Sequence, residues 1–249
     1  MKYLITGITG FAGAHLAELL FTEGHEVYGL VRGSNGMESD ILDTVSPQCF
    51  ATIKFIYANI EDYQAIATIF EKTYFDGVFH LAAQSHPPTS FLNPLDTFRT
   101  NITGSANIID AITKWSPGTK LMFCSTSEVY GNSGKDGNLL KETDPLTPCN
   151  PYATSKAAID LYMQERMQNG KIKGFITRAF SHTGPRRGKN FSISADAYQI
   201  ARIMNGLQEH CVKVGNLETI RVVIDVRDVV RAYYLLMINE NTNAKIFNV

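Results

Sequence analysis

Neither positive nor negative charge is in appreciable surplus in this sequence. Its 23 Lys and Arg nearly cancel its 24 Asp and Glu, so no broad basic surface exists to neutralise nucleic-acid phosphates, and nucleic acid is not an expected partner. Cysteine is scarce and scattered. Cys49, Cys124, Cys149 and Cys211 form no CxxC pair and no His-Cys cluster at metal-ligand spacing, so reduced thiols and no metal site are expected. Long apolar runs are lacking too. The opening MKYLITGITG turns glycine-rich after a few apolar residues, too soon to span a bilayer and unlike a secretion signal. The expectation is a soluble, cytoplasmic protein with no membrane partner. No internal repeat or low-complexity run is present, which excludes a solenoid or an extended linker.

Strand-length apolar segments recur at 3–8, 26–31, 53–58, 77–83, 121–125, 174–179 and 221–226. They are near-continuous rather than alternating, as strands buried on both faces are. Helically spaced segments lie between them at 11–23, 62–72, 103–114 and 152–168. Asp62 is placed to cap one helix, and Asn150-Pro151 to open another that Gly170 closes. This alternation predicts an α/β fold, a doubly wound parallel sheet of the Rossmann type. The 249 residues suffice for one large domain with at most a small appendage. Two polar, glycine-bearing loops, 131–137 and 184–190, are expected to edge the site.

The first strand runs into Thr6-Gly7-Ile8-Thr9-Gly10-Phe11-Ala12-Gly13 and then into the first helix. Glycines there let the backbone approach a pyrophosphate, which the helix amides bind. Gly7, Gly10, Phe11, Ala12 and Gly13 are therefore the first cofactor-binding candidates. The second strand ends Leu30-Val31-Arg32-Gly33 without the carboxylate that would hold the ribose of NAD. Arg32 suits a 2′-phosphate, so the expected cofactor is NADP rather than NAD. Tyr152 and Lys156 form a YxxxK pair, one turn apart on one helix face. A nearby ammonium is expected to lower the tyrosine pKa and make it a base for a substrate hydroxyl.

The GxxGxxG spacing and this YxxxK pair resemble the extended short-chain dehydrogenases. That resemblance implies that Asn59 and Ile60 lie against the adenine, and that Leu81, Ala82 and Ala83, in the run from His80 to His86, lie along the cofactor with Ser85 facing the substrate. His80 is expected to be packed rather than catalytic. The segment Cys124-Ser125-Thr126-Ser127-Glu128-Val129-Tyr130-Gly131 resembles nucleotide-sugar dehydratases. Period-two geometry would put Thr126 and Glu128 on one side and Ser127 opposite, were the strand to continue. The resemblance implies that Thr126 bonds the hydroxyl being oxidised, and that Glu128 removes the carbon-5 proton and assists water loss from carbon 6. Simple epimerases of this fold carry a small or apolar residue where Glu128 stands.

Residues 178–191, with Pro185-Arg186-Arg187-Gly188 and then Asn190-Phe191, resemble the GDP-mannose 4,6-dehydratase family most closely. Ser181, Arg187, Lys189 and Asn190 are thereby candidates for substrate binding. Arg221, after Gly215-Asn216-Leu217, is implied to bind the substrate diphosphate. Asp228 matches a position that caps the next helix. Residues 1–178 are expected to form the dinucleotide-binding domain, and 179–249 a partial substrate-binding region interleaved with the last strands. The strand-like end at 246–249 reads as a truncation that leaves the nucleotide pocket incomplete. A homo-oligomer, dimer or tetramer, is implied, although residues 33–40 lack the arginines with which the resembled tetramers reach a neighbour's cofactor. Alternatives within the fold are a 4-keto-6-deoxy-sugar reductase, for which His182-Thr183-Gly184-Pro185 speaks, and a UDP-glucuronate decarboxylase or epimerase. The non-enzyme alternative is a cofactor-binding regulator.

Overall fold

The computed structural model describes residues 1–33, 37–134, 137–218 and 220–249, the side chains of Met37 and Glu38 excepted. Parts of two segments read above, 34–36 within 33–40 and 135–136 within 131–137, lie outside the described residues.

Strands β1 (Lys2–Thr6), β2 (Glu26–Val31), β3 (Lys54–Tyr57), β4 (Gly77–His80), β5 (Lys120–Thr126) and β6 (Lys173–Ala179) alternate with helices. The helices are α1 (Phe11–Thr22), α2 (Pro47–Thr52), α3 (Tyr63–Lys72), α4 (Pro87–Leu92), α5 (Pro94–Phe98), α6 (Gly104–Trp115) and α7 (Pro151–Gln168). Then follow β7 (Ser181–Thr183), α8 (Ser192–Met204), β8 (Val223–Asp225), α9 (Val226–Ile238) and β9 (Lys245–Asn248). Seven strands form one sheet in the order β3-β2-β1-β4-β5-β6-β9, every neighbouring pair parallel. Strand order reverses between β1 and β4, and such a switch point opens a crevice at the strands' carboxyl ends.

Alternation along the strands sorts the core into two layers. Tyr3, Ile5, Val27, Phe79, Met122 and Phe175 pack against α1 and α9 through Leu16, Leu20, Val229 and Tyr233. Leu4, Leu30, Val78, Leu121, Phe123 and Ile176 pack against α3, α6 and α7 through Phe70, Ile108, Ile112, Ile159 and Met163. Each fully buried side chain of this size is worth about 1.5–3 kcal/mol relative to an exposed one, so neither layer could be lost without unfolding the sheet.

Two expectations change here. The segment 221–226 is not a strand of the main sheet: only Val223–Asp225 is extended, and it pairs with β7 in a separate two-stranded sheet. The seventh strand is β9, whose apolar Ile246 and Phe247 enter the two core layers. The cap of α9 is Asp225, which accepts from Arg227 N at 2.8 Å, whereas Asp228 lies inside the first turn. The other caps follow the sequence: Asp62 accepts from Ala65 N at 3.1 Å and Asn150 from Ala153 N at 2.7 Å.

Candidate active site

The carboxyl ends of β1, β4, β5 and β6 line a cleft of about 1510 Å³. At its β1 side Gly7 takes φ +74°, and a Cβ there would stand 2.9 Å from the Ala82 backbone. Gly13 is tighter still, with an added Cβ 2.3 Å from Gly7 O. These contacts press the turn against residues 81–83. Thr6 reinforces them by accepting from Ala82 N at 3.2 Å while bonding His80 at 2.7 Å. His80 is wholly buried, reaches Ser105 through its other nitrogen at 2.8 Å, and is held near a pKa of about 3 by burial and then by Lys156. It is a packed, neutral residue.

At the start of α1 no side chain caps the helix and no acidic residue occupies the first turn. Its amides and the positive end of its dipole therefore face the cleft beside Gly7, Gly10, Phe11, Ala12 and Gly13. Arg32, Asn59, Ile60, Leu81, Ala82, Ala83 and Ser85 line the same cleft.

The chemical end is built from β5, the turn after it and α7. Thr126 ends the strand, and its Oγ1 accepts from Glu128 N at 3.3 Å, turning 127–130 into a 3-10 helix. The period-two expectation therefore stops at Thr126, because the side chain caps the next turn. Thr126, Ser127 and Glu128 all line the cleft. The turn closes at Gly131, φ +60°, where a Cβ would stand 1.8 Å from Thr147 O.

Tyr152 and Lys156 are buried one turn apart on α7 and line the cleft with Thr126 and Glu128. Lys156 Nζ donates to Cys124 O at 2.7 Å. The expected lowering of the tyrosine pKa is not what this arrangement gives. Burial raises it, Cys124 and Glu128 add to the rise, and the Thr126 hydrogen bond and Arg187 oppose it. Burial likewise lowers Lys156. Desolvation thus sets the direction for both groups.

The loop 184–191 folds over the glycine turn. Arg186 donates to Thr9 O at 2.8 Å, and His15 Nε2 to Pro185 O at 3.0 Å. Arg187 lies 3.4 Å from the Phe191 ring centroid and 4.9 Å from that of Phe11, with its pKa lowered by burial. Among the described residues it has no carboxylate within salt-bridge distance. Ser181, Arg187, Asn190 and Arg221 line the cleft. Lys189 does not: its ammonium sits 4.1 Å from the Tyr198 ring centroid, on α8.

Sequence reasoning missed several residues of the site. Asn101, in a π-turn at Arg99–Thr103, pairs with Gln84 N and O at 2.8 and 3.0 Å and donates to Ser155 Oγ at 2.9 Å. Ser155 Oγ in turn donates to Tyr152 O at 2.7 Å. Asn150 donates to Glu128 Oε2 at 2.8 Å, and Ser90 Oγ accepts from Tyr152 N at 3.1 Å. His182 stacks on Phe11 with its ring 8° from parallel. No periodicity marks these residues; only the helix-opening Asn150 carried a signal, and it spoke for capping alone. Among the described residues no three His, Cys, Asp or Glu cluster as a metal site would, and no helix is long and apolar enough to cross a membrane.

Residues 4–249 match the family model for GDP-mannose 4,6 dehydratase. The chain belongs to that family. Relatives within it include a GDP-mannose 4,6-dehydratase of Vibrio cholerae, 31% identical over 244 residues, covering 95% of this chain and 64% of the relative. A GDP-6-deoxy-D-mannose reductase of Pseudomonas aeruginosa is 29% identical, covering 100% of this chain and 74% of the relative. Among solved structures, a Thermus thermophilus UDP-glucose 4-epimerase complex with NAD superposes with a TM-score of 0.81 at 28% identity, covering 100% of this chain and 77% of the other. The chain thus spans a little under two thirds of the length of the dehydratase it matches. The family's architecture is the parallel sheet described above.

Proposed function

We propose that the chain carries the catalytic half of a nucleotide-sugar 4,6-dehydratase acting on GDP-mannose with NADP. The observation that carries this reading is Glu128, a carboxylate held in the same cleft as Tyr152, Lys156 and Thr126. An epimerase that only removes and returns a hydride needs no second proton-transfer group.

The glycine turn and the uncapped, acid-free start of α1 suit a dinucleotide pyrophosphate, and Arg32 suits a 2′-phosphate in place of the ribose carboxylate that NAD calls for. Held by the glycine turn, the α1 amides and Arg32, NADP would supply the acceptor for a hydride from carbon 4 and the donor for the later reduction of carbon 6. Tyr152 takes the proton of the carbon-4 hydroxyl, which Thr126 orients. Because burial raises the tyrosine pKa, this transfer needs a nearby positive charge, which Arg187 supplies in part and a bound oxidised cofactor would increase. Glu128 takes the carbon-5 proton, acidic beside the new ketone, and gives a proton to the departing carbon-6 hydroxyl, which leaves as water. As carbon 6 is reduced, carbon 5 takes up the proton that Tyr152 removed, so Tyr152 and Lys156 regain their starting protonation with no net use of cofactor. Arg187 and Arg221, both free of carboxylate partners among the described residues, suit the substrate diphosphate.

The reductase reading is favoured by one observation, the His182-Thr183-Gly184-Pro185 stretch together with the Pseudomonas relative. It requires stoichiometric NADPH and no role for Glu128. Incubation with GDP-mannose and trace NADP, followed by mass spectrometry, separates the two. Loss of one water, abolished by Glu128→Gln, supports dehydration. Steady oxidation of NADPH with a 4-keto sugar, insensitive to that substitution, supports reduction.

A further inference from the structure

We infer that Asn150 is a positioning residue that ties the base Glu128 to the helix carrying Tyr152; the inference rests on the dehydratase reading and deepens it. Asn150 stands two residues before Tyr152 and uses both ends of its amide. Its Oδ1 accepts from Ala153 N at 2.7 Å and caps α7. Its Nδ2 donates to Glu128 Oε2 at 2.8 Å. One side chain therefore spans the joint between the catalytic helix and the 3-10 turn.

The geometry has a chemical consequence. Glu128 is fixed at its main chain by Thr126, through the 3.3 Å bond to Glu128 N, and at its carboxylate by Asn150. With Oε2 occupied by a donor that has no proton-accepting role, Oε1 is the oxygen left to face the sugar. A flexible carboxylate on a short turn would otherwise sample several rotamers, and a misplaced proton acceptor is costly to a rate. Because the same amide opens α7, one residue links the acceptor at carbon 5 to the helix that carries the phenol at carbon 4.

Capping alone would not require this residue type. Serine and aspartate cap helices as well as asparagine does, yet serine brings no amide to Glu128, and aspartate sets a second carboxylate against it. The two roles are therefore separable by substitution. The whole chain is prepared as wild type, Asn150→Ser and Asn150→Asp, and given GDP-mannose and NADP in heavy water. Nicotinamide absorbance in the first turnover reports oxidation at carbon 4, and mass spectrometry reports water loss and deuterium at carbon 5. The expected result is that Asn150→Ser slows deuterium uptake and water loss by roughly tenfold, the worth of one oriented hydrogen bond. Asn150→Asp slows them further, while oxidation at carbon 4 keeps most of its rate in both. Equal losses in both steps, or no loss in either, overturn the inference.

A second arm needs no turnover. Melting temperatures of Asn150→Ser, Glu128→Ala and the double variant form a cycle. Shifts that fail to add support the Asn150–Glu128 link, and additive shifts overturn it. If wild type shows no water loss from GDP-mannose, the dehydratase reading fails, and this cycle alone judges the link.

Discussion

His80 shows how a single buried side chain sets the pH response of the fold. Folded, it stays neutral down to a pKa of about 3 because burial, and then Lys156, oppose its charged form; unfolded, it titrates near 6.5. Between those values the unfolded chain binds the extra proton. Stability is therefore full above pH 6.5 and falls on acidification, by at most about 1.4 kcal/mol per pH unit from this group. A His80→Asn variant is expected to lose the acid-sensitive part, so its urea midpoint falls less than that of wild type between pH 7 and pH 5. Parallel decline of the two proteins would show that the sensitivity lies elsewhere. Tyr152 obeys the same physics with the opposite sign: burial disfavours its charged form and holds its proton on.

At the scale of elements, the 3-10 turn that presents Glu128 depends on a glycine that cannot be replaced. Gly131 and Gly24 both have positive φ, +60° and +77°, but only Gly131 faces a wall, Thr147 O at 1.8 Å from an added Cβ. Gly24→Ala is expected to cost about 1–2 kcal/mol for the left-handed backbone alone. Gly131→Ala is expected to exceed it clearly, because the turn and residue 147 must part, and to lower any Glu128-dependent activity with it. Equal urea midpoints for the two variants would refute this difference. The sequence made most elements legible because its signals were local: apolar runs for β1 to β6, Asp62 and Asn150 for caps, GxxGxxG for the first turn, YxxxK for α7. What stayed hidden was set by contacts between distant segments. The run 221–226 has strand composition, yet its pairing with β7 rather than with the main sheet is a tertiary choice. Residues 245–248 won the last place beside β6. The hydrogen bonds of Asn101 likewise depend on neighbours far along the chain.

Across the whole molecule, one buried charge pair joins the parts that line the cleft to the end of the sheet. Arg178, on β6, pairs with Asp160, on α7, at 2.9 Å, with side chains 2% and 0% exposed. The same guanidinium donates to Tyr130 OH at 2.9 Å and to Glu142 O at 2.8 Å. Tyr130, in the turn that carries Glu128, donates to Asn248 Oδ1 on β9 at 2.7 Å. Burial opposes the charge on Arg178, but the hydrogen bonds to Asp160 and Tyr130 hold it on and raise its pKa. The network thus fixes α7, the turn carrying Glu128 and the edge strand against one another. Asp160→Ala strands a buried guanidinium and is expected to cost about 3–5 kcal/mol. Replacing both partners, Asp160→Leu with Arg178→Met, removes the uncompensated charge and is expected to cost less than Asp160→Ala alone, although it deletes more hydrogen bonds. Urea denaturation of the three proteins decides this. A double variant less stable than Asp160→Ala would mean that the donors reaching Tyr130 and Glu142, rather than the charge pair, hold the Glu128 turn in place.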